Sequence, residues 1–365
     1  MDKKKKSALN LMNGIEQPTQ LNEKLIQSSK YKKTIPETNI DELFVKLRQG
    51  DRTSLARAIT LIESNLEKDF NFAHKLVELC LPYSGNSLRI GVTGVPGAGK
   101  STFIEAMGMF LTEDKKKIAV LAVDPSSERS KGSILGHKTR MEQLSSQSNA
   151  FIRPSPSGGT LGGVARKTNE TIILCEAAGY DIIFVETVGV GQSETLVKNM
   201  VDFFLLIVLA GAGDELQGIK RGIMEMADAI IIHKADGDNL RNAERMVPVY
   251  KSALHLFRMP ESKVLPQVEI CSSITGLNIP KVWDIIEQHL NTTKENGFFN
   301  QNRNKQNIAQ LHATIDTVLL NSFYNNKDIK TVFAKIEQEL SKNAISPYHA
   351  ARQLVELYNK SKGSL

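Results

Sequence analysis

The chain has 365 residues, 41% of them hydrophobic and 24% charged, a length that predicts about two domains and a composition that excludes a mainly disordered or fibrous protein. It contains no apolar run of about 18 residues, which excludes a helix spanning a membrane. The net charge of +6 looks basic until it is located: residues 1–33 hold eight Lys against Asp2, Glu16 and Glu23, a net +5, so the other 332 residues carry about +1 and make no general electrostatic case for nucleic acid.

In chain order, residues 1–38 read as a flexible basic extension, lacking both the apolar core of a secretory signal and the Arg-rich bias of a transit peptide. Its Lys run at 3–6 fits a solvated tail or a contact with an acidic partner. Residues 39–86 predict a small helical unit, with Leu43, Leu47, Leu55, Ile59, Ile62, Phe72, Leu76 and Leu79 on apolar faces. From 87 to 290 the pattern changes to short apolar runs, at 88–93, 118–123, 150–152, 181–186, 203–210, 229–233 and 268–272, separated by helical stretches. Runs that are Ile- and Val-rich and too short for buried helices predict a doubly wound, mostly parallel α/β sheet covered on both faces, closed by a helix at about 279–290. Residues 291–306 are polar and Asn-rich and read as a linker. Beyond them Ile308, Leu311, Ile315, Val318 and Leu319 form one helical stripe, and Val332, Phe333, Ile336 and Leu340 a second. Ser346-Pro347 opens a third helix, with Ala351, Leu354 and Tyr358 on a face. These stripes need cover, either on the parent domain or on another subunit. Cys80, Cys175 and Cys271 lie far apart without C-x-x-C spacing and read as reduced core thiols of a cytoplasmic protein.

Gly94-Val95-Pro96-Gly97-Ala98-Gly99-Lys100-Ser101 matches G-x-x-x-x-G-K-[ST], with an apolar strand before it and a helical run from Thr102 after it. The glycines let successive N–H groups turn inward toward phosphate oxygens, and the helix N-terminus adds its positive end. Lys100 is placed to bridge the β- and γ-phosphates, and Ser101 to ligate Mg²⁺. A nucleotide-bound Mg²⁺ needs further oxygen ligands at strand carboxyl ends. Asp124 and Glu186 each follow an apolar run, a costly place for a charge without a partner, and are the candidate metal acids. Glu186-Thr187-Val188-Gly189 has the D-x-x-G layout of a switch loop with Glu for Asp. His233-Lys234-Ala235-Asp236 approaches the N-K-x-D signature of guanine-nucleotide binders. Asp236 offers two acceptors to the N1–H and 2-amino donors of guanine, which adenine lacks, so it favours GTP over ATP. The Lys234 stem can lie along the base, and Ser272-Ser273-Ile274 sits where a backbone N–H meets the guanine oxygen. His233 stands at the usual Asn position, where it either weakens the base contacts or substitutes its ring for the carboxamide.

Together these residues resemble the methylmalonyl-CoA mutase-associated GTPases, the MeaB/ArgK family of P-loop proteins, over roughly residues 40–365. The specific strings beyond the phosphate loop are Val123-Asp124-Pro125-Ser126-Ser127, Ser130-Lys131-Gly132-Ser133-Ile134-Leu135-Gly136, Lys138-Thr139-Arg140-Met141, Arg153-Pro154-Ser155-Pro156-Ser157-Gly158-Gly159-Thr160-Leu161-Gly162-Gly163 and Glu186-Thr187-Val188-Gly189-Val190-Gly191-Gln192-Ser193-Glu194. The resemblance implies a homodimeric GTPase whose residues 291–365 form a dimerisation arm. It also implies a chaperone for an adenosylcobalamin-dependent acyl-CoA mutase, assisting cofactor loading and protection. Asp124 and Glu186 match metal-site acids, and residues 211–220, including Lys220, match a third switch that couples nucleotide to mutase. His137 stands where the family has Asp, either a poorer partner for Mg²⁺ or an exposed substitution.

The expected chemistry is in-line attack of water on the γ-phosphate, with Lys100 and Mg²⁺ stabilising charge and the segment from Glu186 to Glu194 placing the water. Val190 follows the D-x-x-G layout, with Gln192 two positions further on, so intrinsic turnover should be low. A partner would accelerate it by ordering residues such as Arg129 or Lys220. Competing readings are a metal-delivery GTPase, which should show a His-rich tract or paired Cys, a transport-associated ATPase or kinase, which should prefer ATP, and a non-hydrolysing scaffold.

Overall fold

Seven of the apolar runs are strands of one all-parallel sheet. The computed structural model describes residues 39–64, 66–123, 141–154, 161–187, 193–210 and 221–362. Within them β1 is Leu88–Gly94, β2 Ile118–Val123, β3 Ala150–Arg153, β4 Ile182–Thr187, β5 Phe203–Leu209, β6 Ala229–His233 and β7 Gln267–Ile270, in the order β3-β2-β4-β1-β5-β6-β7. β2, β4 and β6 are buried along their whole length, as strands covered on both faces must be. The order reverses direction at β1, which lies between β4 and β5, so the crevice for a ligand opens above the carboxyl end of β1.

Helices α1 (Ile40–Arg48), α2 (Arg52–Glu63) and α3 (Glu67–Cys80) join one face of the sheet. Leu47, Leu55, Ile59, Ile62, Leu76 and Cys80 share a single core with Ala119, Ile183 and Phe204 and with α6 (Leu161–Ala177). Asp51 caps α2 by accepting from the Ser54 N–H at 2.7 Å. The inward face of α3 centres on Asp69, Leu76 and Cys80, which leaves Phe72, expected on an apolar face, exposed. The other face of the sheet is covered by α4 (Lys100–Glu113) and α10 (Ile279–Glu295), through Phe103, Ile104, Met107, Val282 and Ile286. The remaining elements of the α/β part are α5 (Glu142–Ser146), α7 (Ser193–Lys198), α8 (Arg221–Met226) and α9 (Leu240–Leu254).

The expected linker at 291–306 is helical. α10 runs to Glu295, Gly297 takes a left-handed turn at φ +80°, and α11 (Phe298–Tyr324) follows at once. Its polarity misled because it buries charged groups rather than apolar ones. Arg303 donates to Asp202 Oδ1 and Oδ2 at 2.8 Å each and to the Ser87 carbonyl at 2.6 Å, and stacks over the Phe299 ring. Beside it Arg89 grips Glu176 through bonds of 2.9 and 3.1 Å, and the Arg89 N–H donates to Asp202. Gln306 adds a bond to the Val201 carbonyl at 2.7 Å. These residues tie α11 to the amino ends of β1 and β5.

α12 (Lys327–Ser341) and α13 (Pro347–Lys362) pack together through Ile329, Ile336, Ala350 and Leu354. Ser346 caps α13 from the His349 N–H, as expected, but Ala350 rather than Ala351 faces inward. The α11 stripe stays outside this core. Ile308, Leu311, Ile315, Val318 and Leu319 are between 44% and 58% exposed, so the parent domain does not cover them.

Candidate functional site

Three loops, those that follow β1, β6 and β7, converge above the carboxyl ends of their strands, beside the end of β4. The turn from Gly94 to Gly99 links β1 to α4. Gly94 passes so close to β5 that a Cβ there would stand 2.2 Å from the Ile207 carbonyl, and Gly99 has φ +89°. Glycine is therefore required at both positions for the chain to curl into the start of α4. Val95 is half-buried, Pro96 and Gly97 are exposed, and Ala98 is buried.

Lys100 and Ser101 occupy the first turn of α4 and are both buried, whereas Thr102 is exposed. The Lys100 ammonium folds back over the loop and donates to the carbonyls of Gly94 at 2.9 Å and Val95 at 3.2 Å. Ser101 Oγ donates to Glu186 Oε1 at 2.7 Å, inside the protein. Glu186 is 3% exposed and lies within β4, its register matching Val92 of β1 and Ala122 of β2. A hydroxyl and a carboxylate this close, both oxygen donors, fit a hard cation such as Mg²⁺, which takes one or two protein ligands and completes its shell with phosphate oxygens and water.

A second polar pair lies beside the first: the hydroxyls of Thr93 and Thr187 are 2.9 Å apart and buried. Sequence reading singled out neither as a site residue. Their signal is a hydroxyl at the end of an otherwise apolar strand.

The base side is built from the ends of β6 and β7. Lys234 takes a left-handed conformation at φ +58° and is exposed, while Ala235 N–H donates to the Cys271 carbonyl at 3.0 Å. This joins residues 233–236 to the end of β7. Ser272 Oγ donates to Asp236 Oδ2 in a short bond and also accepts from the Thr275 N–H, which shapes the turn carrying Ser273 and the exposed Ile274. His233 is buried, with Nδ1 2.8 Å from the Ala98 carbonyl and Nε2 2.7 Å from Ser273 Oγ. Burial pushes its pKa below the ordinary imidazole value, the bond to Ala98 opposing in part.

The fold thus assembles Gly94, Val95, Pro96, Gly97, Ala98, Gly99, Lys100, Ser101, Thr102 and Glu186 at one end of the crevice, and Lys234, Asp236, Ser272, Ser273 and Ile274 at the other. Asp124, Gln192 and Lys220 lie outside the described residues, as do Arg129, His137 and the switch segments at 188–192 and 211–220. Among the described residues, no group of three or more His, Cys, Asp or Glu forms a metal cage.

A parallel sheet with a glycine turn leading from its central strand into a helix, and a strand-borne carboxylate on the serine of that turn, defines the P-loop nucleotide-binding class. The chain belongs within it to the family described as Methylmalonyl Co-A mutase-associated GTPase MeaB, whose model matches residues 55–328. It is 45% identical to GTPase ArgK of Escherichia coli (strain K12) over 322 residues, covering 88% of this chain and 97% of the relative. It is 43% identical to the mitochondrial methylmalonic aciduria type A homolog of Mus musculus, over 87% of this chain and 79% of that protein. Among solved structures, one titled LAO/AO transport system kinase is similar with a TM-score of 0.69 and 39% identity, over 88% of this chain and 98% of the other. The family carries guanine-nucleotide binding with it. No helix among the described residues is long and apolar enough to cross a membrane.

Proposed function

We propose that the chain binds GTP with Mg²⁺ and hydrolyses it to GDP and phosphate, and that this cycle serves an adenosylcobalamin-dependent acyl-CoA mutase as a chaperone for cofactor loading and protection. The observation that carries the nucleotide reading is the buried Ser101–Glu186 contact of 2.7 Å directly beneath the phosphate loop. Ser101 and Glu186, with Asp124, would hold Mg²⁺, which when bound neutralises charge on the β- and γ-phosphates. Lys100 swings from the carbonyls of Gly94 and Val95 to the phosphate oxygens, exchanging two neutral acceptors for charged ones. The loop N–H groups of 94–102 bind the phosphates, the 186–194 segment with Gln192 places the attacking water, and Lys220 belongs to the segment through which a partner stimulates turnover. Asp236 reads the guanine edge, Lys234 lies along the ring, and the N–H groups of 272–274 face the base oxygen.

Calorimetry on the full chain tests the first half. Tight uptake of GTP and GDP, strengthened by Mg²⁺ and well above that of ATP, is expected; equal or tighter ATP binding overturns it. That second outcome would favour the kinase reading attached to one similar structure, which Asp236 opposes. Phosphate release measured with and without a methylmalonyl-CoA mutase tests the second half, and stimulation is expected.

The family resemblance suggests a homodimer, and the uncovered α11 stripe supports the same reading, with residues 291–365 as the dimerisation arm. Sedimentation of the wild type against Leu311→Glu should show a dimer converted to monomer. Three buried thiols suit a reducing cytoplasm.

A further inference from the structure

We propose that His233 is a positioning residue whose imidazole, protonated on Nδ1, locks the phosphate loop, the 233–236 loop and the 272–274 loop into one nucleotide-holding unit. The proposal rests on the guanine-nucleotide reading above and assigns the clamp that makes the two halves of that site act together.

The assignment follows from what each neighbour can do. The Ala98 carbonyl only accepts, so the nitrogen 2.8 Å from it, Nδ1, must carry the hydrogen. The ring is 2% exposed and burial disfavours its charged form, so it is neutral and Nε2 is left as an acceptor. Ser273 Oγ, 2.7 Å away, then donates to Nε2. One ring therefore joins three segments that are 135 and 40 residues apart in sequence.

Packing fixes the ring as firmly as bonding does. A Cβ on Gly99 would stand 2.6 Å from both Cε1 and Nδ1, so the imidazole lies directly against the phosphate-loop backbone. Phe103 meets it edge-on with centroids 6.2 Å apart. The residue types available at this position differ in reach. An Asn carboxamide places a donor at the position of Nδ1, and a Gln carboxamide places a group at the position of Nε2. Histidine alone of the three spans both, and the Ser273 hydroxyl gives the second nitrogen its partner.

The test measures dissociation of a fluorescent GDP from the full chain by stopped flow, in the wild type, His233→Ala, His233→Asn, Ser273→Ala and the double variant His233→Asn/Ser273→Ala. A neutral hydrogen bond contributes about 0.5–1.5 kcal/mol, or roughly 2–12-fold. Ser273→Ala should speed release by about that factor in the wild type and leave the rate unchanged in the His233→Asn background. His233→Asn keeps the Ala98 donor and should release GDP more slowly than His233→Ala. Nitrogen-15 spectra of histidine-labelled wild type at neutral pH should show one ring held as the neutral Nδ1–H tautomer, the form less favoured in water.

Equal effects of Ser273→Ala in both backgrounds, or an Nε2–H tautomer at His233, overturn the clamp even if GDP binds tightly. A wild type that binds no guanine nucleotide overturns the site reading instead, and the tautomer spectrum still judges the ring geometry separately. Should His233→Ala fail to fold, the two milder variants and the wild-type spectrum carry the test.

Discussion

The two ends of the sheet solve the problem of buried polarity differently. At the amino end, Arg303 meets Asp202 and Arg89 meets Glu176, cation against anion, with main-chain groups of Gly85, Ser87 and Arg89 completing the set. At the carboxyl end the joining contacts run through hydroxyls, carbonyls and an imidazole: Ser101 to Glu186, Thr93 to Thr187, Lys100 to two carbonyls, and His233 to Ala98 and Ser273. Charge cancelled by charge makes a joint that is complete within the fold. Charge held by neutral partners can be handed to a ligand with stronger acceptors. The first end should fail as stability and the second as function.

The largest effect that would break this contrast is at the amino end. Asp202 is 1% exposed at its side chain, and Arg303→Ala leaves it without its guanidinium. Chemical denaturation should show a loss of about 3–5 kcal/mol. A loss below 1 kcal/mol would mean that the joint is ornamental. At the other end, Lys100→Ala should lower the single-turnover rate of GTP cleavage by about 10²–10³-fold, as loss of one electrostatic stabiliser does elsewhere. The contrast sharpens if its unfolding midpoint stays near that of the wild type.

Asp236→Asn should weaken GTP by about 10–100-fold, because a hydrogen bond to a charged acceptor is replaced by a mispaired amide, and should leave ATP unchanged. Competition binding reads the ratio directly. The smallest effect lies outside both ends, at the cap of α2. Hydrogen bonds from Ser54 hold the Asp51 carboxyl below its usual range. The cap therefore stabilises fully above the ordinary Asp pKa near 4, and its contribution disappears as pH falls through the lower folded value. Asp51→Ala should cost about 1 kcal/mol near neutral pH and nothing once the carboxyl is protonated in both states.

The carboxyl end was largely legible in the sequence, because its chemistry is written in contiguous strings. Gly94 to Ser101 and His233 to Asp236 each lie on one loop, and the strands beneath them announce themselves as unbroken apolar runs. What joins those loops was not legible. Ser101 and Glu186 are 85 residues apart and His233 and Ala98 135, distances that only the strand order closes. The amino end was hidden more completely. Arg303 sits in a polar stretch that composition assigns to a linker, and its partner lies 101 residues away. The first turns of α11, held by ion pairs and polar contacts, carry no hydrophobic period, so periodicity finds only the later part of that helix. The α11 stripe was found, but a stripe does not say what covers it.

The three native thiols carry one practical consequence. Cys80, Cys175 and Cys271 are all buried, and burial pushes Cys80 up to about 11, Cys271 up to about 12 and Cys175 upward as well. At neutral pH all three therefore stay as the unreactive thiol, shut away from solvent. Maleimide dyes should therefore pass over the native chain, and a single cysteine engineered onto α11 or the Lys234 loop would take a fluorophore alone, ready to report distances in the working protein without any prior removal of sulfur.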